Sequence, residues 1–280
     1  MKTNGLMLLI VTMVAMVGCS KNNSHVEFPS REAETAFQTK YPGASSVEWE
    51  RAGVFQKVEF VWNAVEYDAW YTASGIWLQT EYTMSYADVP DAVKENASND
   101  INYPAESWIP QNSVEVVERL NYPLWYEVEL KKGNEEVSIW ADAEAFRHYT
   151  ATANMDSDEL PSAIRSFLTL RYANALVTEG MQLTDGSYVV YLLSGNEPKQ
   201  VYFTSSQEWN YTEWPVSAGS LPQAVQTVLG GEAYKDYSIK SVEYQQYTDK
   251  SYYHIVLENT NLPGSLTMSI NIDSQGNMIL

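Results

Sequence analysis

Cysteine is almost absent from this sequence: Cys19 is the single cysteine among 280 residues. One thiol cannot form an intramolecular disulfide, and Cys19 stands too close to the N-terminus to serve as a nucleophile inside a folded core. A disulfide framework and a cysteine-based catalytic site are therefore excluded. The fold has to be stabilised by its hydrophobic core.

Residues typical of metal and catalytic sites are scarce as well. The chain has three histidines, His25, His148 and His254, and none stands at metal-ligand spacing from another histidine, cysteine or acid. The patterns HExxH, GxSxG, GxGxxG and Walker A do not occur. Residues 156–159 and 271–276 resemble calcium loops, but the first stretch precedes a helix start and the second lacks the bidentate glutamate of an EF-hand. We expect a protein that is not an enzyme and has no metal or cofactor.

Basic residues are also few. The chain carries 17 Lys and Arg against 36 Asp and Glu, a formal net charge of −19. Such a surface repels a phosphate backbone, so nucleic acid is excluded as an expected partner.

The N-terminal segment has the pattern of a secretory signal. Lys2 is followed by an apolar run over residues 6–17, too short to span a bilayer as a helix, and then by Gly18 and Cys19. Residues 16–19, MVGC, resemble a lipobox, with Met16 where leucine is usual. We expect a signal peptide over residues 1–18 and acylation of Cys19.

Acyl chains on Cys19 would anchor the mature protein to a membrane without a transmembrane helix. Residues 19–28 are polar and without periodicity, as expected of a tether. We therefore expect a membrane-anchored lipoprotein of a Gram-negative bacterium, facing the periplasm or the cell surface.

A short stretch occurs twice in the rest of the chain. YTASGIWLQTE at residues 71–81 matches FTSSQEWNYTE at residues 203–213, and Trp77 and Trp209 are 132 residues apart. Ser-Gly and Ser-Gln dipeptides at the centre of the two copies indicate hairpin turns. The repeat predicts that a whole structural unit is duplicated.

A wider comparison of the chain with itself shows four copies of one pattern. Four segments begin with proline and have helical periodicity: PSREAETAFQTKY, PDAVKENASNDINY, PSAIRSFLTLRY and PQAVQTVLGGEAY, starting at Pro29, Pro90, Pro161 and Pro222. Each runs to a tyrosine and is followed by segments of alternating polarity, which predict strands. The sequence predicts an α+β fold in which a helix plus a four-stranded antiparallel sheet occurs four times.

One such module buries only a marginal core, so we expect the modules to pair. The pairing gives two domains, residues 29–159 and 160–280, each with its helices on one face of the sheet and the other face open. The four modules are residues 29–88, 89–159, 160–220 and 221–280.

Several local sequences carry a family resemblance. They are residues 40–44 closing a helix, 47–50 and 57–60 in strands, the hairpin 71–81 and the helix start 89–93. Together they resemble the PepSY-like secreted proteins grouped with the β-lactamase-inhibitor-like fold. The family hairpin usually carries Asp and Gly, and here Asp273 with Gly276 keeps both, whereas Gly75 keeps one. The resemblance implies a secreted or periplasmic, non-catalytic binding or inhibitory protein.

Aromatic residues are abundant, with 9 Trp, 20 Tyr and 7 Phe. Alternation along the predicted strands places a set of aromatic and acidic side chains on the open face: Glu59, Trp70, Trp77, Trp125, Glu129, Tyr191, Tyr202 and Trp209. Such residues suit recognition of an envelope or secreted protein, and exposed Trp and Tyr platforms suit a glycan as the alternative. A third interpretation is that these aromatics pack module against module.

Overall fold

The computed structural model describes residues 28–143, 148–259, 261 and 266–279. Cys19, the signal segment and nearly all of the tether lie outside the described residues. The helices are α1 (Arg31–Lys40), α2 (Asp91–Ser98), α3 (Ser162–Arg171) and α4 (Gln223–Leu229). The strands are β1 (Ser45–Ala52), β2 (Phe55–Trp62), β3 (Val65–Tyr71), β4 (Trp77–Ser85), β5 (Ile109–Pro110), β6 (Ser113–Arg119), β7 (Trp125–Lys132), β8 (Glu135–Asp142), β9 (His148–Met155), β10 (Leu176–Leu183), β11 (Tyr188–Ser194), β12 (Glu197–Phe203), β13 (Trp209–Pro215), β14 (Ser238–Gln246), β15 (Ser251–Asn259), β16 (Leu266–Ile272) and β17 (Met278–Ile279).

The helices begin where the sequence predicts. Pro90, Pro161 and Pro222 each immediately precede α2, α3 and α4, and α1 follows Ser30, whose Oγ accepts a hydrogen bond from the Ala33 N–H. The predicted C-termini are right for α1 and α3, which end at tyrosine caps. They are wrong for α2 and α4, which end before Asn99 and Gly230, because residues of low helix propensity follow.

All the described strands belong to one antiparallel sheet of seventeen strands. Each helix is followed by its strands in chain order, but the strands do not form four separate sheets as expected. The reason is that β4 pairs with β6, β9 with β10, and β13 with β14, which joins consecutive copies of the pattern edge to edge. This pairing leaves few strand edges unsatisfied.

The four helices share one face of the sheet, called here the helix face. Each helix packs on its own apolar cluster, for example Phe37 of α1 against Val58 and Phe60, and Ile164 of α3 against Val190. The clusters under α2 and α4 are built in the same way from Val93 and Val225 with the strands beneath them. The prediction that the helices lie on one face of the sheet is therefore correct.

The opposite face, called here the inner face, is not open over its central part, and this corrects the expectation from the sequence. The sheet rolls inward, so that Val117 and Trp125 of β6 and β7 pack against Met181 and Tyr191 of β10 and β11. A second cluster joins Trp70 and its neighbours to Leu193 of β11. Strands β4 and β12 come within 8 Å of each other, measured between Cα atoms. Twist accumulated over many strands causes such rolling, and it buries aromatic side chains that would otherwise face water.

The first of the two repeated hairpins has a turn glycine that fits closely against a helix. Gly75 has φ +84°, and a Cβ atom added there would lie 2.6 Å from the backbone oxygen of Glu32 in α1. Glycine is therefore required both by the left-handed backbone and by the close approach of the helix. The predicted hairpin is present, and it contacts the first turn of α1.

Candidate functional site

Trp77 and Trp209 lie on the helix face rather than the inner face, so their predicted placement is wrong. Trp70 pairs with Gln79, but Tyr71 pairs with Trp77, which leaves Leu78 as the extra residue of a β-bulge. The same irregularity occurs between β12 and β13, where Phe203 pairs with Trp209. A bulge shifts the alternation by one residue and turns the side chain to the other face.

On the helix face, Trp77 belongs to a set of contacts that fastens α1 to its hairpin. The Trp77 Nε1–H donates to Thr80 Oγ1 at 2.8 Å, and the same hydroxyl lies 2.5 Å from the Tyr41 hydroxyl at the end of α1. Lys40 Nζ stands 3.8 Å from the centroid of the Trp77 ring. The ring is therefore covered by a cation of its own chain.

The second copy repeats these contacts. Trp209 Nε1–H donates to Thr212 Oγ1 at 3.0 Å, the Tyr172 hydroxyl lies 2.6 Å from the same oxygen, and the Arg171 guanidinium is 5.0 Å from the Trp209 ring centroid. Phe167 of α3 stacks on the indole with centroids 5.4 Å apart. The duplicated stretch thus has a structural role in both places, which is to hold a helix end on a hairpin.

Trp70, Trp125 and Tyr191 lie on the inner face but are buried. Trp125 is 1% exposed and stacks on Tyr149 with ring centroids 5.6 Å apart. Tyr191 is equally buried under the guanidinium of Arg119, 3.8 Å from its ring centroid. The rolling of the sheet brings Trp125 and Tyr191 together and encloses them, so neither is available to a partner.

Tyr202 is half-buried and belongs to a hydrogen-bonded network of tyrosines. Its hydroxyl lies 2.6 Å from the Tyr149 hydroxyl and donates to Glu213 at 2.9 Å. Its ring begins a stack that continues through Tyr211, Tyr247 and Tyr252, with successive centroids 4.1, 5.1 and 5.4 Å apart. Tyr149 therefore connects Tyr202 to the buried Trp125.

Of the two predicted acidic residues, Glu59 is exposed and Glu129 is half-buried. Glu59 pairs with Lys57 at 2.7 Å and Glu129 with Lys131 at 3.2 Å. Lys57 also reaches Asp68 at 3.1 Å, so it joins the carboxylates of two strands.

Glu59 belongs to a row of carboxylates that crosses neighbouring strands on the inner face. Its backbone partner is Asp68, and the partner of Asp68 is Glu81; further along, Glu115 is the partner of Glu127. These five residues are called here the acidic row. Like charges opposite each other on neighbouring strands destabilise a sheet, so the row by itself lowers the stability of the fold. Sequence reasoning missed it, although each of these strands carries an acid between two core residues.

The carboxyl groups of the row are held in an environment that disfavours their charge. Burial raises the pKa of Asp68, Glu81 and Glu115 above the ordinary range. Burial and then the neighbouring Glu115 raise the pKa of Glu127 to about 7, against hydrogen bonds from Ser138 and Asn154 that lower it. The row runs from the exposed Glu59 to the buried Glu127.

Two charged residues, Glu179 and Arg119, lie beside the acidic row. Glu179 of β10 faces its buried end, where burial and then Glu115 and Glu127 raise the pKa of Glu179 to about 9. Arg119, 1% exposed, donates from Nε to Gln79 Oε1 at 3.0 Å, and Gln79 Nε2 donates to Glu81 at 2.5 Å. Within the described part of the chain, Nη1 and Nη2 of Arg119 have no hydrogen-bond partner.

The described residues were compared with what a metal site and a membrane-spanning helix require. Among them, no group of three or more His, Cys, Asp or Glu side chains is arranged to hold a metal ion. No helix in residues 28–143, 148–259, 261 or 266–279 is long and apolar enough to cross a bilayer.

The fold and the inner face define an α+β protein built by tandem duplication, with helices on one face of a rolled antiparallel sheet. A family model described as "Putative beta-lactamase-inhibitor-like, PepSY-like" matches residues 54–145 and 186–280, which together make up more than half of the chain. The chain belongs to this PepSY-like family and contains its pattern twice. The resemblance seen in the sequence is confirmed.

The chain is also similar to several solved structures from Bacteroides. A BLIP-like protein of Bacteroides fragilis is 23% identical, covers 46% of this chain and 90% of its own, and superposes with a TM-score of 0.39. A protein of Bacteroides eggerthii, described among "putative periplasmic proteins", is 20% identical with 45% and 91% covered and a TM-score of 0.37. A DUF2874 family protein of Bacteroides uniformis is 21% identical with 43% and 88% covered and a TM-score of 0.37. No curated protein matches the chain.

Proposed function

We propose that the protein is a non-catalytic binding protein of the cell envelope, and that its acidic row receives basic side chains of an extracytoplasmic protein. Membership of a family described as β-lactamase-inhibitor-like supports protein binding in general. The observation that carries the proposal is the row itself, in which Glu59, Asp68 and Glu81 stand directly opposite one another. Lys57 bridges Glu59 and Asp68, and a lysine or arginine of a partner placed against the row would add further attraction.

Electrostatics favours the same class of partner. The net charge of −19 attracts basic proteins over the range of a Debye length, and the exposed end of the row offers the first contact. Glu129 of β7, predicted from the sequence as a binding residue, lies on the same face and extends the acidic surface.

The glycan alternative has less support. Sugar recognition needs free ring faces, but Trp125 and Tyr191 are enclosed, and the rings of Trp77 and Trp209 are covered by Lys40 and Arg171. Among the described residues, the half-buried stack that includes Tyr211 and Tyr247 favours a glycan. Its rings already cover one another's faces, so protein binding remains our first choice.

Neutralising three acids of the inner face, the exposed Glu59 and the half-buried Asp68 and Glu129, tests this proposal. We expect the triple variant Glu59→Gln, Asp68→Asn, Glu129→Gln to lower capture of the partner from envelope and secreted fractions at least about tenfold, because three attractive charges are lost. The remaining capture should depend less on ionic strength than that of the wild type. Quantitative mass spectrometry of captured proteins at low and physiological salt gives both readouts.

The control for this experiment changes the same total charge on the helix side. The variant Glu34→Gln, Glu95→Gln, Glu232→Gln alters three exposed acids on or beside helices. Capture should stay within about twofold of the wild type in this variant. An equal loss in both variants would mean that net charge alone drives binding, and unchanged capture by the first variant would rule out the acidic row.

We further propose that the protein is anchored through Cys19, which lies outside the described residues. We expect a clickable palmitate to label the wild type and the control Ser20→Ala, and labelling to disappear in Cys19→Ala, because the acylated thiol is then missing. In-gel fluorescence after metabolic labelling measures this. An unlabelled wild type would end the idea.

The division into domains 29–159 and 160–280, and into the four modules, stays a prediction. The two family matches, residues 54–145 and 186–280, support a duplicated pair. Trp125 from the first half and Tyr191 from the second lie in one apolar cluster. We therefore propose that the two halves are sequence repeats that depend on each other for their inner core.

A further inference from the structure

Among the strands that the structure describes, β1 lies at an edge of the sheet and pairs with β2 alone. From Glu48 to Ala52 this pairing is regular, because the bulge of β1 lies between Ser45 and Glu48. A two-residue turn joins the strands, so Ala52 exchanges backbone hydrogen bonds with β2, and by alternation Glu48 does so too. The N–H and C=O groups of Trp49 and Arg51 therefore point away from the sheet, where an added strand could pair with them.

A cavity of about 220 Å³ lies beside this edge, on the helix face between α1 and β1. The buried Phe37 and Tyr41 line it from the side of α1, and Val47 and Trp49 line it from β1. Val47 is 39% exposed and Trp49 is half-buried, so apolar surface is left in contact with water there. The cavity thus suits an apolar side chain that an added strand would place against it.

Acidic side chains lie on the inner face of the same edge. Glu48 is exposed and stands opposite Glu59, the exposed member of the acidic row. Glu50 is exposed as well and pairs with Lys57 at 3.3 Å. Successive residues of an added strand alternate between the two faces, so one set would meet the cavity and the other would meet these carboxylates. An extended segment that alternates apolar and basic residues is complementary to both faces.

We propose that the edge of β1 and the cavity beside it bind an extended segment of the partner protein, in which apolar and basic residues alternate. The segment pairs antiparallel with β1, places an apolar side chain in the cavity and sets a lysine or arginine beside Glu48. Backbone pairing supplies affinity, and the side chains on the two faces supply selectivity. The inference rests on the proposed function, since it describes how a basic partner reaches the acidic row.

A synthetic peptide, acetyl-SKLKLKS-amide, tests the pairing on the purified protein. We expect it to bind at least about tenfold more tightly than acetyl-SELELES-amide, because Glu48 and Glu50 repel the acidic peptide. Methylation of both leucine nitrogens should weaken binding at least about tenfold, because these N–H groups donate to β1. Methylation of the lysine nitrogens of the backbone, which lie on the outer edge, should leave binding unchanged. Fluorescence anisotropy with labelled peptides measures these affinities.

The variant Gln38→Trp tests the cavity, because it adds bulk at an exposed position of α1 that lines it. This variant should bind the lysine–leucine peptide at least about tenfold more weakly than the wild type. The control Gln223→Trp makes the same change at an exposed position of α4 and should bind the peptide as the wild type does. Unchanged binding by a Gln38→Trp protein that melts like the wild type would overturn the inference.

The outcomes separate this inference from the proposed function. Equal binding of both methylated peptides, with capture still lowered by the triple variant of the inner-face acids, would overturn the edge pairing and leave the acidic row in place. A methylation effect with unchanged capture by that triple variant would support the edge pairing and rule out the acidic row. A dimeric wild type that the peptide converts to monomers in light scattering would assign the edge to a second copy and would also overturn the inference.

Discussion

The variant Glu179→Gln should be more stable than the wild type at about pH 8, by roughly 3 kcal/mol of unfolding free energy. Burial and then the neighbouring Glu115 and Glu127 raise the pKa of Glu179 to about 9 in the folded protein, whereas an unfolded glutamate has a pKa near 4.5. Below the unfolded pKa the carboxyl group is protonated in both states and costs nothing. As the pH rises towards the folded pKa, only the unfolded state releases its proton, and stability is lost.

Urea unfolding at about pH 4 and about pH 8 measures this effect. The gain should be large at the higher pH and nearly absent at the lower one, because a neutral glutamine resembles the protonated acid. Glu208→Gln, at an exposed glutamate, should change stability by no more than about 0.5 kcal/mol at either pH. A gain for Glu179→Gln of equal size at both pH values would show that repacking, and not charge, is its cause.

The variant Trp125→Ala should lose about 3–5 kcal/mol of unfolding free energy. Its indole is 1% exposed and packs on the inner face between β6–β8 and β10–β11, where it stacks on Tyr149 and lies 6.5 Å from Tyr191 between ring centroids. Removing it leaves a cavity between strands that are distant in the sequence. Denaturant unfolding near neutral pH measures the loss.

Leu170→Ala is the reference for this prediction, because Leu170 is 86% exposed on α3. It should change stability by no more than about 0.5 kcal/mol. If Trp125→Ala behaved in the same way, Trp125 would be a surface residue on an open sheet face, and the rolled arrangement of the sheet would be wrong.

Local features of the fold could be predicted from the sequence. Proline followed by a 3.6-residue period located the helices, and alternation located the strands, because both signals lie within one element. The tyrosines that end α1 and α3 were recognised for the same reason. The ends of α2 and α4 were missed because the helical pattern continued past residues that stop a helix, such as Gly230.

The faces of individual side chains could be predicted only where alternation is unbroken. Alternation places Trp70, Trp125 and Tyr191 on the correct face and Trp77 and Trp209 on the wrong one. Next to Trp77 and Trp209 a β-bulge inserts one residue, and the sequence carries no clear sign of it. Burial of the inner face is one of three interpretations that the sequence allows, since it depends on how twist accumulates over the whole sheet. Predicting the acidic row requires the register between strands, which the sequence of a single strand does not reveal.

The order of strands in the sheet also determines how the chain can assemble. Most strands from β1 to β17 pair with the next strand in the chain across a short loop, at small entropic cost, whereas the pairings β4–β6, β9–β10 and β13–β14 each span a helix. A chain that is synthesised from its N-terminal end can therefore add strands one at a time, each covering the edge left by the strand before it. The contacts between β6–β8 and β10–β11 require both sets of strands, so the enclosed interior is completed after the sheet that surrounds it.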